Sequence, residues 1–312
     1  MKRLSRRRIL QGLAGYTAYG GALARHAVAG GSMLTRKVPR TGEALPVIGL
    51  GTWQTFDVGE NSPERAALTE VLGAFLDAGG RVIDSSPMYG RAEATVGDLL
   101  SALGTHAAGA GRTFLATKVW TTGKARGEEQ MRTSLRRMRR EPPQAFDLLQ
   151  IHNLQDWRTH LGTLRDWKAA GRVRYIGITH YDLGAFDELE RIIKTESVDF
   201  VQLPYSIGVR KAEDRLLPAA ADHRTAVIVM RPFEAGALFG EVRGRPLPPF
   251  AAELSCTTWA QLFLKFILAH PAVTCPIPAT GNPKHLIENV AAGSGRLPDE
   301  AMRKKLIAAV GA

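Results

Sequence analysis

Residues 82–90 read VIDSSPMYG. Two apolar residues run into Asp84; Ser85, Ser86 and Pro87 then break the run, and Tyr89–Gly90 follow. The stretch is a short strand with a carboxylate at its C-terminal end and a tyrosine on the loop beyond. The same unit recurs along the chain. Short apolar runs start at residues 47, 81, 114, 147, 174, 199, 226 and 273. Helix-length amphipathic segments lie between and after them at 63–78, 92–103, 128–140, 157–170, 184–195, 210–222, 257–269 and 283–292. Eight strand-then-helix units in about 250 residues predict a parallel sheet closed into a (β/α)8 TIM barrel. A doubly wound open sheet would carry a glycine-rich phosphate turn after its first strand, and Gly49-Leu50-Gly51-Thr52-Trp53-Gln54 lacks the third glycine. A Thr-Gly turn within 34–46 predicts an N-terminal β-hairpin ahead of the barrel, plugging its bottom.

Composition narrows the function classes. At 312 residues, with 45% hydrophobic and 23% charged side chains, the chain is long enough for one large α/β domain with a sizeable core. No run of about 20 uninterrupted apolar residues predicts a permanent membrane span. The net charge is +11, but residues 1–29 supply six of those charges (Lys2, Arg3, Arg6, Arg7, Arg8, Arg25) and no acid. The remaining +5 requires no nucleic-acid partner. Cys256 and Cys275 have no metal-ligand spacing and read as two buried thiols, with no metal site expected. The N-terminus has the three-part plan of an export signal. Ser5-Arg6-Arg7-Arg8-Ile9-Leu10 resembles the twin-arginine type, a mildly apolar stretch follows, and Ala27-Val28-Ala29 offers a cleavage site. The expected organisation is therefore a signal segment over 1–29 and a single barrel domain over 30–312. That implies a periplasmic or exported protein meeting the membrane only through export machinery; the alternative is a cytoplasmic barrel with a basic extension. A monomer is expected.

In such a barrel the chemistry sits at the C-terminal strand ends. Those ends carry Gly51-Thr52-Trp53, Asp84, Lys118-Val119-Trp120, His152-Asn153, Thr179-His180, Gln202, Met230-Arg231 and Ala279-Thr280. Each polar residue alone has a structural explanation as a cap, a solvated charge or a satisfied core histidine. Asp84, Lys118 and His152, however, come from three successive strands at one height, and Tyr89 lies on the adjoining loop. A phenol has a reference pKa of about 10. A neighbouring ammonium favours the phenolate and is expected to lower that value, a carboxylate keeps the ammonium charged, and a histidine can hydrogen-bond a carbonyl oxygen. Carbonyl reduction needs such a set, because hydride attack leaves an alkoxide to be stabilised and protonated.

Asp84, Tyr89, Lys118 and His152, in this order and spacing, resemble the catalytic tetrad of the aldo-keto reductase family. The likeness extends over nearly all of residues 34–292, through GLGTW (49–53), ID…YG (83–90), ATKVW (116–120), LLQIHN (148–153), IGIT (176–179), VQLPYS (201–206) and IPATGNPKHLIENV (277–290). The resemblance implies an NADP(H)- or NAD(H)-dependent oxidoreductase that reduces aldehydes or ketones, with Tyr89 as general acid and His152 orienting the carbonyl. It implies a nicotinamide carboxamide site at Thr179, His180 and Gln202, further cofactor contacts at Thr52, Met230 and Pro232, and an adenosine end near Thr280, Asn282, His285 and Asn289. Trp53 and Trp120 would wall the substrate mouth, barrel-rim packing being the alternative for both.

This chain departs from the family pattern at three places. Thr179-His180 stands where Ser-Asn is frequent, and Met230-Arg231-Pro232-Phe233 replaces the Tyr-Ser that stacks on the nicotinamide. Ala279 and His285 occupy positions that hold Lys and Arg in relatives preferring NADP. A histidine lacks the donor fork with which a guanidinium grips phosphate, so NADP is the expected cofactor by the family's habit alone, with NAD as its rival. A cofactor-binding sensor with little turnover is the alternative function.

Overall fold

A computed structural model describes residues 32–104, 113–140 and 146–311; the twin-arginine-like segment 1–29 lies outside the described residues. The chain first forms an antiparallel hairpin of β1 (Thr35–Lys37) and β2 (Ala44–Pro46). Eight parallel strands follow, each hydrogen-bonded to the next in chain order: β3 (Leu50–Gly51), β4 (Val82–Asp84), β5 (Phe114–Val119), β6 (Phe146–His152), β7 (Val173–Thr179), β8 (Phe200–Pro204), β9 (Ala226–Met230) and β10 (Val273–Pro276). The sheet curls until its ends meet. Gly49 N donates to Pro276 O at 3.0 Å, Gly51 N donates to Pro278 O at 3.2 Å, and Gly51 bridges Ala279 in parallel. A Cβ on Gly51 would stand 2.8 Å from Ile277 O, so the glycine at this seam is what lets the first strand close against the last.

The helices occupy the connections: α1 (Glu64–Asp77), α2 (Ala92–Ala102), α3 (Lys124–Arg137), α4 (Trp157–Ala169), α5 (Phe186–Glu196), α6 (Leu216–Asp222), α7 (Ala237–Glu241), α8 (Trp259–Leu268), α9 (Pro283–Ala291) and α10 (Glu300–Val310). The seven later barrel strands start within one residue of the expected positions, while the first is shorter and starts at 50. The helix expected over 210–222 is a 3-10 turn (Lys211–Glu213) followed by α6. Pro218 sits in the first turn of α6, where its ring would clash with a carbonyl four residues back and so opposes upstream extension. Two helices, α7 and α10, were not anticipated.

Strand alternation decides what fills the barrel. Val82, Phe114, Ala116, Leu148, Tyr175, Phe200, Ala226, Ile228 and Cys275 form one buried cluster together with Val38 and Leu45 of the hairpin region. Phe114, Tyr175 and Phe200 meet with ring centroids 5.3–5.9 Å apart and make its floor. Side chains two residues along a strand share a face. The column that holds Ala116 therefore continues to Lys118, that of Leu148 to Gln150 and His152, that of Tyr175 to Thr179, and that of Phe200 to Gln202. The alternate residues, such as Ile151, Ile178 and Val201, join a second cluster beneath the helices. Both thiols are buried; burial pushes Cys256 up to about 11 and Cys275 higher still, which leaves them unreactive.

Candidate active site

The interior columns deliver polar groups to the C-terminal end on a solid apolar base. Asp84 pairs in register with Ala116, so Lys118 stands two residues further along its own strand and reaches back over the carboxylate. Its Nζ lies 2.6 Å from Asp84 Oδ2 and 2.7 Å from Ser85 O. Gln150, opposite Lys118 in register, donates from Nε2 to Asp84 Oδ1 at 3.1 Å. Lys118 and Asp84 are 1% and 2% exposed, so this ion pair is sealed from solvent. Burial pulls the lysine down, but Asp84 and Tyr89 outweigh it and hold the group charged, above its ordinary value.

Tyr89 is placed by a turn: its N–H donates to Ser86 O at 3.0 Å, and its own carbonyl receives Ala92 N–H at the start of α2. Gly90 follows in the left-handed region (φ 58°), and an added Cβ there would fall on the Asp57 carboxylate. The Tyr89 ring lies with its centroid 5.1 Å from Lys118 Nζ and meets the His152 ring edge-on at 5.8 Å. The expected lowering of the phenol does not hold. Burial raises its pKa, Lys118 lowers it and Asp84 raises it again, leaving Tyr89 above its ordinary value. The lysine's charge is largely answered by its partner, so desolvation prevails.

His152 Nδ1 lies 2.9 Å from Ser86 Oγ, and the same oxygen accepts Met88 N–H at 3.3 Å. With the hydroxyl proton turned to Nδ1, the ring keeps a proton on Nε2. Burial, then the charge of Lys118, push His152 down to about 3, so the imidazole is neutral at any physiological pH. A neutral ring can donate one hydrogen bond without adding charge.

These groups share one cavity of about 590 Å³, also lined by Thr52, Trp53, Thr179, Gln202, Met230, Pro232 and Phe233. Among the described residues, four buried polar atoms of its lining have no hydrogen-bond partner: Thr55 Oγ1, Asn153 Oδ1 and, in register on adjacent strands, Thr179 Oγ1 and Gln202 Oε1. A carboxamide offers both a donor and an acceptor, so this pair fits a nicotinamide. A second cavity of about 520 Å³ is lined by Arg245, Trp259, Thr280, His285, Glu288 and Asn289 among others, and shares Phe233, Phe239 and Ala279 with the first. The two chambers therefore adjoin along one wall.

Some expected residues stand apart. His180 lines neither cavity; it stacks on Tyr181 at 5.5 Å and accepts Asp182 N–H, and burial lowers its pKa. Asn282 caps α9, accepting Lys284 N–H at 2.9 Å. The Thr52 hydroxyl lies 3.0 Å from both Asp84 O and Ser85 Oγ, bracing the strand end as well as lining the cavity. Trp120 is outside the cavity wall, with its ring 6.5 Å from His152, whereas Trp53 lines it. Sequence reasoning missed Ser86, Gln150, Tyr181, Phe239 and Arg245. Ser86 and Gln150 carried a signal, being adjacent to or in register with the strand-end set; Tyr181 and Arg245 lie on loops, and Phe239 on the short α7, with none.

Comparison with known proteins agrees with this fold. Methylglyoxal reductase YeaE of Escherichia coli (strain K12) is 26% identical over 255 residues, covering 80% of this chain and 85% of that protein. The NADH-specific methylglyoxal reductase of the same strain is 25% identical over 322 residues, covering 85% and 95%. The crystal structure of an aldo-keto reductase from Klebsiella pneumoniae in complex with NADPH superposes with a TM-score of 0.70 at 27% identity, covering 88% of this chain and 95% of that one. Residues 47–306 match the Aldo/keto reductase family, and the chain belongs to that family.

Proposed function

We propose that this protein reduces small aldehydes or ketones to alcohols, with NADPH or NADH as co-substrate. One observation carries the reading: a charged Lys118 buried at 2.6 Å from Asp84, beside a half-buried phenol and a neutral imidazole, all facing one cavity. The bound reduced nicotinamide supplies the hydride. His152 donates from Nε2 to the carbonyl oxygen and fixes its direction. Tyr89 then gives its proton to the developing alkoxide, and Lys118 stabilises the phenolate left behind while Asp84 holds the lysine in place. Thr179 and Gln202 hold the carboxamide, with Thr52, Met230, Pro232 and Phe233 shaping the bed of the ring and His180 bracing the loop beside it. Thr280, His285 and Asn289, on the wall of the second chamber, receive the adenosine end, and Asn282 sets the start of α9 next to it. Arg245 on that wall supplies the guanidinium that Ala279 and His285 do not, which supports NADP as the preferred cofactor. Trp53 walls the substrate mouth, with Trp120 behind it. Residues 30–312 act as one catalytic unit and as a monomer, and residues 1–29 direct a folded, cofactor-loaded barrel to export; fractionation that finds only an uncleaved cytoplasmic product refutes the export step.

The test combines fluorescence titration of NADPH and NADH with carbonyl-dependent cofactor oxidation across pH. Tyr89→Phe is expected to keep cofactor binding and lose turnover by about 10²–10⁴-fold. A phenol above its ordinary value stays protonated through neutral pH, so reduction is expected to be flat from about pH 5 to 9 and to fall only above about 10. A loss of rate centred near pH 6–7 would contradict the neutral His152. Tight cofactor binding with no turnover on a broad carbonyl panel would favour a sensor instead.

A further inference from the structure

One charge on the cavity wall has no part in the reaction above. Arg231 follows β9 in the left-handed region (φ 53°), is exposed, and lies with its guanidinium carbon 5.1 Å from the Tyr181 ring centroid. Both residues line the first cavity and neither lines the second. The other ionisable groups of the first wall carry no net charge between them. Lys118 is answered by Asp84 at 2.6 Å, His152 is neutral, and Tyr89 is a protonated phenol. Arg231 thus gives the mouth a cation that no carboxylate of the lining opposes. Around it the wall is apolar: Trp53, Met88, Tyr181 and Phe239 are each 40–48% exposed, unusually open for such side chains.

We propose that Arg231, braced on Tyr181, receives a carboxylate carried by the substrate, so that the preferred carbonyl compound is an acid with an apolar or aromatic body. A guanidinium presents two parallel donors to a carboxylate, and stacking on a ring fixes the plane of that fork. The mouth's four exposed apolar side chains cover the rest of such a molecule while its carbonyl reaches Tyr89 and His152. The cofactor diphosphate is the rival anion. A molecule spanning both chambers must pass Phe233, Phe239 and Ala279, which are common to both walls, whereas Arg231 belongs to the first wall alone. A substrate anion therefore suits Arg231 better. The inference rests on the carbonyl-reductase reading.

The test compares kcat/KM for 4-carboxybenzaldehyde and its methyl ester in the full chain, in wild type, Arg231→Lys and Arg231→Met. The acid-to-ester ratio is expected to fall about tenfold in Arg231→Met, the scale of a lost charge-assisted hydrogen bond, and to fall less in Arg231→Lys, which keeps the charge without the fork. An unchanged ratio overturns the proposal. So does weaker NADPH binding with the ratio unchanged, which would assign Arg231 to the cofactor phosphates. If wild type turns over no carbonyl, the reductase reading fails and the anion site is read without turnover. Tryptophan fluorescence of the NADPH-saturated protein then compares benzoate with benzamide. Tighter benzoate, weakened in either variant, supports the site; equal binding overturns it.

Discussion

At the N-terminal ends of the barrel strands, charge is answered by protein. Arg36 donates to the carbonyls of Leu268, His270 and Val273; Arg40 donates to Val198 O and His223 O; Glu43 takes Tyr175 Oη at 2.6 Å and pairs with Arg174, which also holds Asp147 at 2.7 Å. At the C-terminal ends the pattern reverses. Among the described residues Thr179 Oγ1, Gln202 Oε1 and Asn153 Oδ1 are buried without a partner, and Trp53, Met88 and Tyr181 stand open. Seven of the eleven described non-glycine residues at positive φ fall in the loops after β3, β6 and β9: Gln54, Asn153, Leu154, Asp156, Arg231, Glu234 and Ala235. One end of the barrel has spent its polar groups on itself, and the other holds them, with local strain, for something that binds.

The sharpest way to break that contrast is to remove charge from the upper end. Replacing Asp84 by Leu together with Lys118 by Met takes out both members of a sealed pair. Swapping a buried ion pair for apolar groups is often neutral or stabilising. The double variant is therefore expected to unfold at the same temperature as wild type or higher, while kcat falls by about 10³-fold. Calorimetry and single-turnover kinetics read the two effects separately. A large loss of stability would mean that this pair belongs with the structural charges of the lower end.

The lower end answers in the opposite sense. Leu45 is 1% exposed and packs into the interior cluster with Val82, Phe114 and Tyr175. Leu45→Ala is expected to cost about 2–5 kcal/mol in urea unfolding, through lost burial and the space left behind. In the fraction that stays folded, kcat is expected to hold within about twofold, because Asp84, Lys118 and His152 stand at or near the opposite ends of their strands. A fall in kcat matching the fall in stability would show that plug and site are coupled.

How much of this was legible in the sequence depended on periodicity. Apolar runs at regular spacing predicted the seven later strands, and strand-end position predicted that Asp84, Lys118 and His152 would converge, because both are consequences of a two-residue alternation. The first strand was read too long: closure at the Gly51 seam needs only two ladder residues. The helix α10 was visible in principle, with Asp299 capping Met302 N–H and with Met302, Leu306 and Val310 at four-residue steps, but eight units already completed a barrel and gave no reason to look beyond. The loop from Arg231 to Cys256 was not legible. Its α7 packs through contacts such as Phe239 on Phe263 of α8, and its left-handed Glu234 and Ala235 have no signal in the order of residues. The pKa of Tyr89 was misjudged for a related reason. Which of desolvation, Lys118 and Asp84 prevails is a matter of depth and distance that order along the chain does not carry.

The smallest expected effect tests the contrast at a single atom. Gln202 is 1% exposed, and its Oε1 lies buried without a hydrogen-bond partner, at a cost of about 1–3 kcal/mol for such a group. Gln202→Leu keeps the side chain's bulk and removes the unpaired oxygen, so the cofactor-free protein is expected to gain about 1 kcal/mol, which at this size raises Tm by about 2 °C. The same change takes away a partner for the nicotinamide carboxamide, and NADPH is expected to bind about tenfold more weakly, equivalent to about 1.4 kcal/mol. Thermal shift with and without NADPH checks both signs in one experiment. The variant curve should lie above wild type without cofactor and lose part of its upward shift with it. If Gln202 were structural, like Glu43 at the far end, the variant would instead lie below wild type in both conditions, and the unpaired oxygen would lose its meaning as a binding group.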